Sequence, residues 1–289
     1  MTKALITGGG GQVALALVRR CPASVQAIAC QRASLDITDE TAVALVIAQQ
    51  RPDVVINCAA YTAVDRAENE PDLARAINDR GVANIAAACS STNARLIHIS
   101  TDFVFDGKSS IPYRPEAPTN PISVYGRTKR DGEGHALALA DSVVLRTSWV
   151  YSADSANFVK TMLRLLKERD RLMVVDDQVG SPTHAQGLAD AIWAILLADV
   201  SGIYHYTDAG VCSWYDFACA IAHEAKSFGL IEEPASVVPI PSSTYSQSAR
   251  RPAFSVLDKQ STWDILGRAS RHWQDELRTV IQNWKDQKS

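Results

Sequence analysis

Short, almost unbroken apolar runs alternate with stretches of helical spacing from the N-terminus to about Ser148, and this alternation restricts the fold more than any other feature. The apolar runs Ala4–Thr7, Val25–Cys30, Val54–Cys58, Leu96–Ser100 and Val143–Arg146 are rich in Val and Ile. Strands buried on both faces read this way. Between them Gln12–Arg20, Asp39–Gln50, Asp72–Ser90 and Val124–Ala140 carry apolar residues at helical spacing. Thr38 is positioned to cap the second of these helices, ahead of Asp39 and Glu40 at its positive end. Strands joined by helices run parallel through right-handed crossovers, so the predicted fold is α/β with a doubly wound parallel sheet.

After Trp149 the pattern loosens. Helices are predicted at Phe158–Arg169, Gln186–Asp199, Trp214–Phe228 and Trp273–Asp286, with strands at Leu172–Val175, Ile203–Tyr206 and Val237–Ile240. Loops rich in Pro and Ser at Ile111–Pro121 and Pro239–Pro252 are long enough to expect function of them. Residues 1–148 thus read as a dinucleotide-binding domain, to which some later segments return. Residues 149–289 read mainly as a smaller α/β lobe bearing substrate contacts. A net charge of −3 with scattered Lys and Arg argues against nucleic acid, and no apolar stretch suffices for a bilayer span. The chain opens directly on a strand-like run, so no signal peptide is expected. Its six cysteines lack C-x-x-C or metal-ligand spacing, which fits a reducing cytoplasm and no metal site.

The first strand runs into Gly8-Gly9-Gly10-Gly11-Gln12-Val13-Ala14, which opens a helix. Glycines there let a pyrophosphate approach the backbone and meet helix N-terminal amides; the small Ala14 replaces the third glycine. A tight turn needs the same glycines, but the position directly after the first strand favours a nucleotide. The second strand ends without the acidic residue that would hold the ribose hydroxyls of NAD, and Cys30-Gln31-Arg32 stands there instead. Arg32 is placed either to accept a 2′-phosphate or to be a solvated surface charge. Asp36 and Ile37 follow on the adenine side. The third strand ends in Asn57-Cys58-Ala59-Ala60-Tyr61-Thr62, small residues that leave room for a cofactor or for helix packing.

The fourth strand ends in Ser100-Thr101-Asp102, and Tyr125 and Lys129 follow one helical turn apart. A free phenol titrates near ~10, too high for proton transfer at neutral pH, and a nearby ammonium is expected to bring it down. By itself a Tyr-x-x-x-Lys pair is a common coincidence. Parallel topology, however, puts Thr101 and Tyr125 at the same sheet edge, where a hydroxyl can bond a carbonyl oxygen becoming an alkoxide.

Together these residues resemble the extended short-chain dehydrogenases/reductases. The resemblance sharpens to the dTDP-4-dehydrorhamnose reductase family through Thr62-Ala63-Val64-Asp65-Arg66-Ala67-Glu68, Ser100-Thr101-Asp102-Phe103-Val104-Phe105-Asp106-Gly107 and Arg146-Thr147-Ser148-Trp149-Val150-Tyr151. The segments Phe158–Arg169, Asp177–Thr183 and Ala249-Arg250-Arg251-Pro252 extend it over nearly the whole chain. The resemblance implies an NAD(P)-binding Rossmann fold and reduction of the 4-keto group of dTDP-4-dehydro-β-L-rhamnose by NADPH or NADH. Tyr125 would then protonate the C4 oxygen, Lys129 would tune that phenol and hold the nicotinamide ribose, and Thr101 would bond the oxygen. Asp102 and Trp149 would contact the sugar nucleotide, and Arg251 or Arg250 its pyrophosphate. Gly8, Gly11, Gln12, Val13, Arg32, Asp36, Ile37, Ala60, Tyr61 and Thr62, with Tyr125 and Lys129, would hold the cofactor.

The chain departs from the family in places. Phe103 stands where a tyrosine is common. Some relatives dimerise around Mg²⁺ held by carboxylates, but the corresponding positions here are Ala16 and Gln186, and the tail Lys285–Ser289 has no glutamate. No structural Mg²⁺ is therefore expected, and the chain is expected to be a monomer or homodimer. Two other functions fit the same fold: a reductase of a different nucleotide-linked 4-keto-6-deoxy sugar, and a noncatalytic regulatory subunit like the beta subunit of methionine adenosyltransferase.

Overall fold

The computed structural model describes residues 1–286. Strands β1 (Thr2–Thr7), β2 (Val25–Cys30), β3 (Val54–Asn57), β4 (Arg95–Thr101) and β5 (Val143–Thr147) lie within two residues of the positions expected from their apolar runs. Helices α1 (Gln12–Arg19) and α2 (Glu40–Gln50) connect the first three strands. The single helix expected at Asp72–Ser90 is instead broken up. After a short α3 (Val64–Ala67) come α4 (Pro71–Arg75), a π-helical turn at Ala76–Arg80, and α5 (Gly81–Thr92). The π turn has a local cause. It carries the buried Asn78, whose amide accepts from the backbone N–H of Tyr61 at 2.8 Å and donates to the Tyr61 carbonyl at 3.0 Å. Helix α6 (Val124–Leu137) passes directly over this turn: a Cβ on Gly132 would lie 2.1 Å from the Asn78 carbonyl oxygen.

Helix α2 is capped one residue later than expected. Asp39 is the N-cap, accepting from the Ala42 amide at 2.9 Å, while the Thr38 hydroxyl turns back to donate to Asp36 at 2.8 Å. A carboxylate at the positive helix end has both a hydrogen bond and the helix dipole in its favour, and the neighbouring Asp36 draws the threonine away. Replacing Asp39 by alanine is expected to cost ~1 kcal/mol of stability, read as a lowered urea midpoint with unchanged slope.

The second half supplies β6 (Val150–Tyr151), α7 (Phe158–Glu168), β7 (Arg171–Val175), β8 (Val179–Gly180), β9 (Thr183–His184), α8 (Ala185–Leu197), β10 (Gly202–His205), β11 (Cys212–Ser213), α9 (Trp214–Ser227), β12 (Ser236–Ile240), α10 (Gln260–Leu266) and α11 (Trp273–Asp286). The main sheet has the order β10-β5-β4-β3-β1-β2, and its pairings are parallel. Its sixth strand comes from the second half. The Ile203–Tyr206 run, expected among the lobe strands, forms β10 and pairs with β5 from Gly202 opposite Val143 to His205 opposite Arg146. Helix α8 carries the chain there across α1, and the Trp193 indole donates to the Leu17 carbonyl at 3.2 Å. One face of the sheet buries Ile6, Leu17, Ile56, Leu188 and Ile192; the other buries Leu5, Ile47, Val55, Ile85 and Leu96. A separate core of Tyr151, Val159, Phe217, Trp273 and Leu277 holds the smaller lobe together, with β7 and β12 paired beside it. Both sheet faces are thus covered by helices, as near-continuous apolar strands require.

Candidate active site

The strand order reverses between β1 and β3, and there the chain leaves room at the carboxyl ends of the strands. Gly8 follows β1 with φ +66°, and a Cβ on it would lie 2.8 Å from the Ala59 amide nitrogen after β3. Only glycine meets both the left-handed backbone and that approach. Gly11 is the N-cap of α1 and supplies no side-chain cap, so the first amides of the helix are left for an anionic ligand. A groove of about 790 Å³ opens over this turn.

Gly8, Gly11, Gln12, Val13, Arg32, Asp36, Ile37, Ala60, Thr62, Tyr125 and Lys129 all line that groove. Among the expected cofactor residues Tyr61 does not: its ring is buried against Ala67, Ala74 and Tyr125, and its hydroxyl donates to Glu70 at 2.6 Å. Cys58 lines the groove too, as do Ser100, Thr147, Val150 and Ser155, which were not among the expected cofactor residues. Gln12 ties the glycine turn to the second lobe, accepting from Ser152 at 3.1 Å and Asn157 at 3.0 Å. Arg32 and Asp36 form an exposed ion pair at 3.1 Å. Two bonds from Thr38, the amide first, and the guanidinium of Arg32 hold the Asp36 carboxyl below its usual range.

Tyr125 is seated by its own helix start. Ser123 caps α6 by accepting from the Gly126 amide at 3.1 Å, and the Val124 amide donates to Glu68 at 2.7 Å. A Cβ on Gly126 would lie 2.2 Å from the Phe103 carbonyl oxygen, so the helix presses directly onto the turn after β4. The Tyr125 ring meets Phe103 edge-on, with centroids 5.4 Å apart. Thr101 ends β4 beside it; its hydroxyl donates to Asp102 at 3.0 Å and accepts from the Phe103 amide at 3.2 Å.

The titration of Tyr125 moves opposite to expectation. Burial pushes the phenol up to about 12, Thr101 opposing and the charge of Asp102 adding to the rise. Lys129 makes no hydrogen bond to the phenol; its Nζ donates to the Ile99 carbonyl at 2.7 Å and lies 3.3 Å from His98 Nε2. Burial also brings Lys129 down to about 8. Desolvation therefore decides the titration, the lysine does not offset it, and Tyr125 keeps its proton at neutral pH. Asp102 is equally enclosed: burial raises it to about 6, hydroxyls of Ser255 and Thr101 opposing, and its Oδ2 has no hydrogen-bond partner among the described residues.

Below this edge sits a buried ion pair that the sequence did not announce. Arg146 on β5 donates to both Glu133 oxygens at 2.8 Å and to the Pro115 carbonyl at 3.0 Å. The Ser100 hydroxyl donates to the same Glu133 at 2.6 Å. This pair anchors α6 to the sheet one turn beyond Lys129.

The expected substrate residues lie on the lobe side. Trp149 takes a left-handed φ of +47° and stacks on Trp214 with centroids 3.5 Å apart. Trp214 and Arg251 both line a second cavity of about 220 Å³, with Phe158, Val175 and Gln178. Arg251 donates to Gln247 at 2.8 Å and pairs with Asp65 at 2.5 Å, so it already has a carboxylate partner. Thr101, Asp102, Trp149 and Arg251 do not line the larger groove. Ala16 and Gln186 share a small pocket with Arg19, Asp154 and His184. The Asp154 carboxylate there is bonded to Arg19, and His184 to Glu276. Residues 287–289 of the tail lie outside the described residues.

The chain matches the RmlD substrate-binding domain family over residues 2–285. A dTDP-4-dehydrorhamnose reductase of Streptomyces griseus is 43% identical over 94% of this chain and 91% of its own length. A dTDP-4-keto-6-deoxy-D-glucose reductase of Streptomyces niveus is 39% identical over 94% of each. The crystal structure of a dTDP-4-dehydrorhamnose reductase from Bacillus anthracis in complex with NADP superposes with a TM-score of 0.91 at 34% identity, over 98% of this chain and 100% of that one.

Proposed function

The chain belongs to the RmlD substrate-binding domain family, and from that premise we propose that it reduces the 4-keto group of dTDP-4-dehydro-β-L-rhamnose to give dTDP-L-rhamnose. The observation that carries this reading is a buried, protonated phenol opening onto a dinucleotide-shaped groove. The turn at Gly8–Gly11 and the uncapped start of α1 fit a pyrophosphate, and Arg32 at the far end fits a 2′-phosphate. NADPH bound there supplies a hydride to the ketone carbon. Tyr125 gives its proton to the ketone oxygen, and Thr101, turning its hydroxyl from Asp102, donates a hydrogen bond to that oxygen as charge develops. Lys129 balances the phenolate left behind. Trp149, Asp102 and Arg251 hold the sugar nucleotide, Arg251 exchanging Asp65 for a phosphate that its planar fork suits.

The test is direct. Purified protein incubated with dTDP-4-dehydro-β-L-rhamnose and each nicotinamide cofactor should consume the reduced cofactor; no loss of absorbance with either one would sink the reading. A second sugar belongs in the same assay, because the Streptomyces niveus relative is named for dTDP-4-keto-6-deoxy-D-glucose. Faster turnover of that sugar would assign the chain to it. Arg32→Ala should raise KM for NADPH about tenfold and leave that for NADH nearly unchanged, as expected for one lost charge-assisted phosphate contact. We place the reaction in the cytoplasm with a small molecule as partner. In support, no helix among the described residues is long and apolar enough to cross a membrane, and the cysteines are free thiols.

A further inference from the structure

Behind the groove a file of buried polar side chains crosses the sheet from β1 to α6. The Thr7 hydroxyl donates to Asn57 Oδ1 at 2.6 Å, and the Ala59 amide donates to the same oxygen at 3.2 Å. A backbone amide is a donor and nothing else, so Asn57 Oδ1 is an acceptor and the amide cannot be turned round. Asn57 Nδ2 then points its N–H at His98 Nδ1, 3.0 Å away. A ring nitrogen that accepts carries no proton, so a neutral His98 holds its proton on Nε2. That nitrogen faces Lys129 Nζ at 3.3 Å.

We propose that His98 is a positioning residue for the ketone reduction, meeting Lys129 with an N–H rather than a lone pair because Asn57 fixes its tautomer. An N–H offers nothing to an ammonium. Among the described residues, the Ile99 carbonyl at 2.7 Å is then the one protein acceptor that takes a Lys129 hydrogen bond. The other ammonium hydrogens stay available for the cofactor ribose and for the Tyr125 oxygen when it loses its proton. A side chain in the His98 position that offered a lone pair would capture one of them. The ring is also held neutral, burial and then the Lys129 charge depressing its titration well below the usual histidine range. The groups facing Lys129 are His98 from β4, Cys58 from the turn after β3, and Tyr125 and Glu133 from its own helix. Glu133 is itself engaged by Arg146, and Cys58 is held as a thiol by burial. Burial thus keeps Lys129 at a marginal charge, and His98 and Asn57 leave its donors free for the groove.

The inference rests on the proposed reduction, yet its first test needs no turnover. Nitrogen-15 spectra of the full-length protein labelled at histidine should include a buried ring locked as the Nε2–H tautomer through the neutral range, beside the exposed His135 and His272, whose bonds to the Asp79 carboxylate and from the Gln274 amide favour the same tautomer. The signal lost in His98→Gln or His98→Asn assigns it. An Nδ1–H tautomer or an imidazolium at that position overturns the proposal. The second test is the pH profile of kcat/KM. In His98→Gln the amide can turn its carbonyl to Lys129 and favour the charged form, so the alkaline limb should move to higher pH by about one unit, a tenfold change in the ratio of charged to neutral lysine. A role confined to packing would lower stability and leave the limb in place, and that outcome also overturns the proposal. Turnover with the wrong tautomer refutes this inference alone; the expected tautomer without ketone reduction refutes the proposed function.

Discussion

Tyr125→Phe is expected to lower kcat by ~10²–10⁴-fold, the usual contribution of a positioned proton donor. The phenol keeps its proton to about 12, so at neutral pH it is an acid ready to give rather than a base ready to take. That is the form a reductase needs in the direction of alcohol formation. Phenylalanine preserves the ring, its edge contact with Phe103 and the packing of α6 on the turn after β4, so only the proton is removed. NADPH affinity should be almost unchanged, because the glycine turn and Arg32 do not touch the phenol. Single-turnover absorbance with dTDP-4-dehydro-β-L-rhamnose, beside equilibrium titration of NADPH, separates the two effects. Wild-type turnover in the variant would remove Tyr125 from the chemistry.

The largest effect on stability is expected at Arg146. Its guanidinium and the Glu133 carboxylate are almost wholly buried, at 3% and 4% side-chain exposure. Arg146→Met leaves that carboxylate with the Ser100 hydroxyl and no paired guanidinium, and removes a donor from the Pro115 carbonyl. Breaking a buried pair by removing one partner costs ~3–5 kcal/mol, since the remaining charge is uncompensated. Urea unfolding should show that loss as a lower midpoint. Adding Glu133→Leu to Arg146→Met should recover much of it, because the stranded charge is then gone as well. A double variant no more stable than the single one would mean that the cost lies in packing, including the stacking of Arg146 over Phe105 at 5.1 Å, and not in the orphaned carboxylate.

How far the sequence could be read depended on whether a signal was local. The five N-terminal strands were legible because burial on both faces writes itself as unbroken Val and Ile runs. Tyr125, Lys129 and the glycine turn were legible because their spacing is set by one helix and one strand end. β10 was found as a strand but not placed, because Ile203 and Tyr204 look the same whether they pair with β5 or within the lobe; the crossover by α8 decides that. The shift of Tyr125 was read with the wrong sign because spacing reports the lysine but not the desolvation of both groups. Tyr61 was expected at the cofactor from the family resemblance, whereas its hydroxyl donates to Glu70. Glu133 and Arg146 went unnoticed, since a charged residue inside an apolar run gives no hint of a partner on another element. The buried file from Thr7 to Lys129 likewise spans four elements and has no one-dimensional signature.

The late arrival of β10 bears on how the chain can be made. Until His205 has left the ribosome, β5 is a fully buried strand of the finished sheet with one side unpaired, and the face of α1 around Leu17 lacks its α8 cover. An apolar, unpaired edge is a template for strands of other chains. The nascent N-terminal half, although it carries the glycine turn, Tyr125 and Lys129, is therefore expected to be prone to aggregate. It cannot be a module to be excised or transplanted. A gene truncated after residue 148 should yield insoluble protein, whereas one extended through His205 should regain the sixth strand beside β5. The reaction centre encoded in the first half waits on strand and helix encoded in the second.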